Sequence, residues 1–204
     1  HRDLHLSLRR QRQMCIRDRS KIERPPEEIR SEVFAFFRGR FLNLLVSQGY
    51  SADLVEAVLS VQMDDLVDAR TRVEALTRFR GRSEFEPLAV AFKRVVNILR
   101  GVDHTKKVDP SLFDTPQEEN LHNRYEEIKG KVSELIDAGD YEGALVELAG
   151  LRTSVDEFFD HVLVMVEDEK LRTNRLALLG EISGLFSQLA DFSRVGGGGL
   201  SDNM

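Results

Sequence analysis

Residues Thr115–Gly139, TPQEENLHNRYEEIKGKVSELIDAG, carry the reading on which the fold class turns. Thr115 followed three positions on by Glu118 spells a capping box. The hydroxyl takes one orphan N–H of the first turn, and the carboxylate reaches back to the N-cap N–H. Pro116 stands at the first helical position, where an N–H is not needed. Leu121, Tyr125, Ile128, Val132 and Leu135 recur at steps of three and four, the apolar stripe of a 3.6-residue period. Gly139 supplies the stop, because a helix commonly ends on a left-handed residue that glycine adopts without strain. Start, stripe and stop agree on one long helix.

The same grammar runs outward. Downstream, Asp140 caps a helix with Ala144, Leu145 and Leu148. A further helix runs from about Thr153 through Phe158, Phe159 and Val162. After a break at Val164–Glu167, a long last helix carries Leu171, Leu178, Ile182, Leu185 and Leu189. Upstream, Pro25-Pro26 with Glu27-Glu28 opens a helix through Ile29, Val33, Phe36, Phe37, Phe41, Leu44 and Leu45, which Gly49 stops. Ser51 is expected to cap a short second helix with Leu54, Val55, Val58 and Leu59. Asp64 is expected to open a third with Leu66, Ala69, Val73 and Leu76 inward. Ser83 and Glu86 read as a second capping box, before Phe85, Leu88, Phe92, Val95, Val96 and Leu99. Residues 102–114 form the one long connection. No alternating β-branched stretch competes, so the spacing predicts an all-α body over about 27–194 with seven or eight helices. Phe92, Val96, Leu121, Leu145, Phe158, Leu171, Leu178 and Leu185 are its expected core.

Composition narrows the classes. The 204 residues include 41% hydrophobic and 31% charged side chains, one Cys and no Trp. A single Cys excludes a disulfide framework and a Cys-rich zinc module. No apolar run is longer than Val162–Val166, which falls far short of the ~20 residues that cross a bilayer. The net charge of −6 is uneven. Residues 1–24 hold eight Lys/Arg against three Asp/Glu, residues 25–100 hold eleven of each, and residues 101–204 hold ten against twenty-one. An acidic body argues against non-specific nucleic-acid binding but leaves room for a local basic strip.

The two ends read as separate from the body. Residues 1–24 have no sustained period and lack the apolar block of a secretory signal. The Arg10–Ser20 stretch, RQRQMCIRDRS, resembles translated sequencing-adapter read-through, so 1–24 is read as a disordered basic leader of non-native origin. A native basic linker or a loose mitochondrial presequence are the other readings. No function is built on Cys15. Residues 196–204, GGGGLSDNM, read as a flexible tail. They do not make a phosphate loop, since no helix and no Lys-Ser/Thr follow the glycines.

Reactive groups do not converge in the sequence. The five His, at 1, 5, 104, 122 and 161, make no two-His ligand spacing on a helix, so neither a metal site nor a catalytic set is expected. Asp160 is expected to face water, with His161 beside the core. Glu167-Asp168-Glu169 read as the acidic first turn of a helix. The Phe pairs 36/37 and 158/159 sit at core spacing. The basic residues stand out instead: Arg70, Arg72, Arg78, Arg80, Arg82, Lys93, Arg94 and Arg100 crowd one third of the chain, and Lys106 and Lys107 extend them into the loop. They form either a solvated face laced with salt bridges or a phosphate-tracking strip.

Four stretches then carry a resemblance. VDEFFDHVLVMVEDEKLRTNRLALLGEISGLFSQLADFS (Val155–Ser193) resembles the C-terminal end of the bacterial glycyl-tRNA synthetase beta subunit. FFRGRFLNLLVSQGYSADLVEAVLS (Phe36–Ser60) is similar to the segment before that subunit's anticodon-binding domain. FEPLAVAFKRVVNIL (Phe85–Leu99) is similar to the start of that domain, and VDPSLFDTPQEENL (Val108–Leu121) to the connection after it. The likeness covers about residues 27–195 in order.

The resemblance implies a helical bundle of the DALR anticodon-binding type, shared with arginyl- and cysteinyl-tRNA synthetases. It would span 83–195 and follow a small helical subdomain at 25–82. It implies a tRNA-binding module of a cytoplasmic, ATP-dependent glycine–tRNA ligase, with glycine tRNA and the alpha subunit as partners and neither membrane nor DNA. ATP and magnesium belong to the whole enzyme, whose active site lies on the alpha subunit; no cofactor, catalytic residue or metal ligand is expected here. Unpaired loops are read by stacking on splayed bases while cations hold the backbone. Candidate RNA contacts are Lys93, Arg94, Arg78, Arg82, Lys106, Lys107, Phe113, Arg172 and Arg175, with Phe113 and Arg175 as candidate base readers. Arg172 and Arg175 have a competing structural reading as partners of Asp168 or Glu169, and Asn174 one as a core hydrogen-bonder. The alternatives are a helical protein-interaction module for subunit assembly, or the equivalent domain of an arginyl-tRNA synthetase.

Overall fold

The computed structural model describes residues 24–102, 104 and 106–196. The readings of 1–23 and 197–204 lie outside them. Among the described residues the chain forms eight α-helices, two 3-10 turns and no strand. The helices are α1 (Pro26–Ser47), α2 (Ala52–Leu59), α3 (Leu66–Arg80), α4 (Phe85–Leu99), α5 (Pro116–Asp137), α6 (Tyr141–Ala149), α7 (Arg152–His161) and α8 (Glu169–Phe186). The turns are Pro110–Leu112 and Phe192–Arg194.

The chain divides into two compact units at Phe41/Leu42. Described residues of the first, 24–41, form most of α1. The remainder of the described chain is the second unit. Helices α2 and α3, which the sequence assigned to a subdomain ending at 82, pack within this second unit: α3 lies against α6, and α2 against the Phe192–Arg194 turn. Helix α5 packs on α6, α7 and α8, and α4 on α7 and α8.

The local signals explain most boundaries. Thr115 Oγ1 accepts from the Glu118 N–H, and the Glu118 carboxylate accepts from the Thr115 N–H at 2.9 Å, so the capping box forms as spelled. Gly139 has φ +75° and Gly49 φ +98°, the left-handed stops of α5 and α1. Asp140 and Asp168 cap α6 and α8 through their carboxylates.

Three starts differ from expectation. Asp65, not Asp64, has the extended N-cap backbone and accepts from the N–H groups of Val67 and Asp68. Ser51 holds the N-cap position of α2, but its hydroxyl donates to the Asp53 carboxylate instead of capping the backbone. The Ser83/Glu86 box does not form. Turns from Phe79 to Arg82 and from Arg82 to Phe85 carry helical backbone into α4, leaving no extended cap residue, and Ser83 bonds Glu84 instead.

The core of the second unit closes around aromatic rings. Phe92 of α4 stacks on Phe186 of α8 at 4.5 Å between centroids, and Phe192 meets both edge-on. Phe79 and Phe85 pack edge-to-face across the α3–α4 junction. Of the expected core, Phe92, Leu121, Leu145, Phe158, Leu178 and Leu185 are buried, whereas Val96 and Leu171 are half-buried on the shoulders of their helices. Leu66 is exposed, because it opens α3 before the helix meets its neighbours. The segment beyond α8 stitches back onto the start of the unit. The Asp191 N–H donates to Ala57 O at 2.9 Å, Arg72 donates to Gln188 O at 3.0 Å, and Phe192 and Val195 are fully buried.

Two Phe expectations part company. Phe158 is buried, with Phe159 half-buried beside it. Phe36 and Phe37, 57% and 54% exposed, are not core residues. His161 is exposed with Asp160 and sits over the Glu157 carbonyl rather than against the core.

Candidate nucleic-acid interface

Folding splits the basic cluster into two chemically different parts. Every arginine on α3 is ion-paired. Arg70 meets Glu74, Arg72 meets Asp68, and Arg80 meets Asp53. Arg78, together with Arg82 just past the helix, grips the single carboxylate of Glu142 on α6, at 2.9 and 2.6 Å. The Arg78 hydrogen bond, then that of Arg82, holds the Glu142 carboxyl below its ordinary range. Arg72 is buried over the Tyr141 ring and is part of the scaffold.

The cations beyond this point behave differently. Lys93, Arg94, Arg100, Lys106 and Lys107 make no ion pair with a described carboxylate. Lys93, Arg94 and Asn97 on α4, with Arg100 at its C-cap, follow an i, i+1, i+4, i+7 spacing on the side opposite buried Leu88, Phe92, Val95 and Leu99. Arg94, Asn97 and Arg100 are exposed and Lys93 half-buried. The Arg94 guanidinium lies over the Phe159 ring of α7, 4.6 Å from its centroid, which holds its head in place without neutralising it.

The strip runs in sequence into a loop that is tied down by α8. The buried Asn174 amide accepts from the Asp109 N–H at 2.7 Å and donates to the Asp109 carbonyl at 3.0 Å, taking both main-chain groups of one loop residue. Asp109 then caps the Pro110–Leu112 turn, and the Ser111 hydroxyl followed by its N–H lowers the Asp109 carboxyl. His104 lies directly against the Cα of Gly180, where a Cβ would come within 2.9 Å of the His104 backbone oxygen. This seating opens a cleft of about 240 Å³ lined by Lys106, Lys107, Asp109, Leu112, Glu169, Lys170, Thr173 and Asn174. Sequence reasoning missed Lys170 and Thr173, because they stand about sixty positions from the loop they face. Asn174 within LRTNRLALL was the available signal.

The remaining candidates have structural partners. Phe113 is half-buried against the His122 ring, 5.3 Å between centroids. Arg172 is half-buried and donates to the Val166 carbonyl at 2.8 Å. Arg175 is only 4% exposed. Its Nε lies 2.8 Å from Oε1 of Glu118, which is fully buried, and it also donates to Leu163 O. Its guanidinium is therefore committed to the interior, and a base-reading role would require a buried ion pair to open. The partner is Glu118, not Asp168 or Glu169. Burial alone would raise the Glu118 carboxyl, but Arg175, the Asp114 N–H and Thr115 together hold it below its ordinary range.

Residues 88–191 match the DALR anticodon binding domain. The chain belongs to this family. The matched segment opens inside α4, so Lys93, Arg94, Arg100, Lys106 and Lys107 lie within it, whereas Arg78 and Arg82 lie before it. The chain is 47% identical over 175 residues to the glycine–tRNA ligase beta subunit of Geotalea uraniireducens, 50% over 177 residues to that of Citrifermentans bemidjiense, and 49% over 170 residues to that of Myxococcus xanthus. These matches take in 86%, 86% and 81% of this chain but 25%, 25% and 24% of the relatives. The chain thus spans about a quarter of the length of the relatives it matches.

Among the described residues no group of three or more His, Cys, Asp and Glu could hold a metal ion, and no helix is long and apolar enough to cross a membrane.

Proposed function

We propose that this chain is the anticodon-region tRNA-binding module of a glycine–tRNA ligase beta subunit, serving aminoacylation of glycine tRNA. The observation that carries the reading is the unpaired cationic face Lys93–Arg94–Asn97–Arg100, continuous in sequence with Lys106 and Lys107, inside the segment that matches an anticodon-binding family. Cations without carboxylate partners can neutralise phosphates and release their counterions; ion-paired ones must first give up a partner. The loop and α8, with Lys170 and Thr173, offer the adjoining cleft to an unpaired nucleotide, whose edges can be bonded once the base is splayed. In this reading the alpha subunit of the same ligase is the protein partner and the cytoplasm the setting. ATP and magnesium act at the ligase's active site, outside this segment.

The test is binding of glycine tRNA and of an anticodon-swapped control across a salt series. Lys93→Ala with Arg94→Ala weakens both equally and flattens the salt slope by about 1–2 units. Lys170→Ala with Thr173→Ala narrows the difference between the two tRNAs. Unchanged binding after the first pair of substitutions, or a footprint on the acceptor stem, overturns the assignment.

A further inference from the structure

Helix α1 carries an apolar surface that the proposed tRNA contact does not use. Val33, Phe34, Phe36 and Phe37 are all exposed, and the Phe36 and Phe37 rings pack edge-to-face on one another, 5.8 Å between centroids. The Arg30 guanidinium lies over Phe34 and that of Arg40 over Phe36, at 5.6 and 4.8 Å, and neither makes an ion pair with a described carboxylate. Three phenyl rings half in water within four residues form a contiguous patch of the kind that marks a protein contact. Unpaired arginines at its edge are the residues that rim such contacts.

We infer that this face of α1 is a docking surface for another part of the longer beta subunit, a surface apolar at its centre with carboxylates at its rim to meet Arg30 and Arg40. The matched relatives are about four times the length of the matched stretch, which is the C-terminal part of each. A surface tethered in the same chain acts at high effective concentration, so a modest patch suffices. RNA is the less favoured occupant. Val33 has no π-face to stack on a base, and the acids Glu27, Glu28 and Glu32 match Arg30, Arg38 and Arg40 in number, so the helix has no net positive charge to draw phosphate.

The experiment compares amide hydrogen exchange of residues 31–41 in two settings: the 204-residue chain, and a full-length relative's beta subunit in which residues 25–196 of this chain replace the matched stretch. Exchange is expected to slow at least ten-fold in the full-length setting, and Phe36→Ser with Phe37→Ser to restore the fast rate there. Both positions are exposed, so the variant's helix content, followed by circular dichroism, is unchanged. Equal exchange in the two settings overturns the inference. So does protection of α1 in the 204-residue chain by glycine tRNA, which assigns the face to RNA, or by raised protein concentration, which assigns it to a second copy. None of these readings depends on whether Lys93 and Arg94 touch tRNA.

Discussion

Arg175 Nε lies 2.8 Å from Glu118 Oε1, joining positions 57 apart and fastening the start of α5 to the middle of α8. The same carboxylate accepts from the N–H groups of Asp114 and Thr115 and from the Thr115 hydroxyl. One buried group thus closes a helix cap, holds the end of the 102–114 connection and anchors the last helix.

Removing one partner strands the other in the interior. Arg175→Met is expected to destabilise the chain by about 3–5 kcal/mol, and Glu118→Gln by a similar amount. The double variant should lose less than the sum, because no unpaired charge remains. Urea unfolding of the four proteins measures this, and strict additivity would show that the two groups do not act as a pair.

The pair also sets an acid response. The folded Glu118 carboxyl lies below its ordinary 4.5, so its stabilisation is present above that value and disappears as pH falls through the folded pKa. Stability should therefore decline on acidification below about pH 4.5. The decline should be shallower in Glu118→Gln, whose side chain has no proton to take up. Parallel urea midpoints at pH 6 and pH 3.5 give the comparison.

Gly180 and Gly184 lie on the same helix in opposite circumstances. A Cβ at 180 would stand 2.9 Å from the His104 backbone oxygen, whereas at 184 nothing lies within 4 Å. Gly184→Ala is expected to stabilise by up to about 1 kcal/mol through helix propensity. Gly180→Ala should push the loop away, so that the Asp109 amide, donated to Asn174, exchanges at least ten-fold faster. Hydrogen exchange and thermal melts of the two variants separate the effects.

Phe158 and Leu178 are fully buried on α7 and α8. Either truncation to Ala should cost roughly 2–5 kcal/mol. A loss near zero in denaturant unfolding would mean that the side chain has no packed partner to lose.

Legibility in the sequence followed distance along the chain. The Thr115/Glu118 box, the Asp140 cap and the stops at Gly49 and Gly139 are settled by residues within a turn of one another, so they could be read directly. The fate of an arginine depends on a carboxylate that the fold brings from elsewhere. Arg78 and Arg82 look like Lys93 and Arg94 until α6 delivers Glu142, and Arg175 looks like a surface cation until Glu118 arrives. The Asn174 clasp on Asp109 is of the same kind. Phe36 and Phe37 fail for another reason: a 3.6-residue stripe shows which face is apolar but not whether anything covers it.

The return of the last segment onto α2 and α3 sets a timetable for synthesis. Helix α2 leaves the ribosome before the segment that covers it, so Ala57 and Arg72 must wait for Asp191 and Gln188, more than a hundred residues later. At roughly 5–20 residues per second this leaves the apolar side of α2 uncovered for several seconds or more on every nascent chain. Until Phe192 emerges and slides beneath Phe92 and Phe186, the chain is a client for any holdase at the exit tunnel.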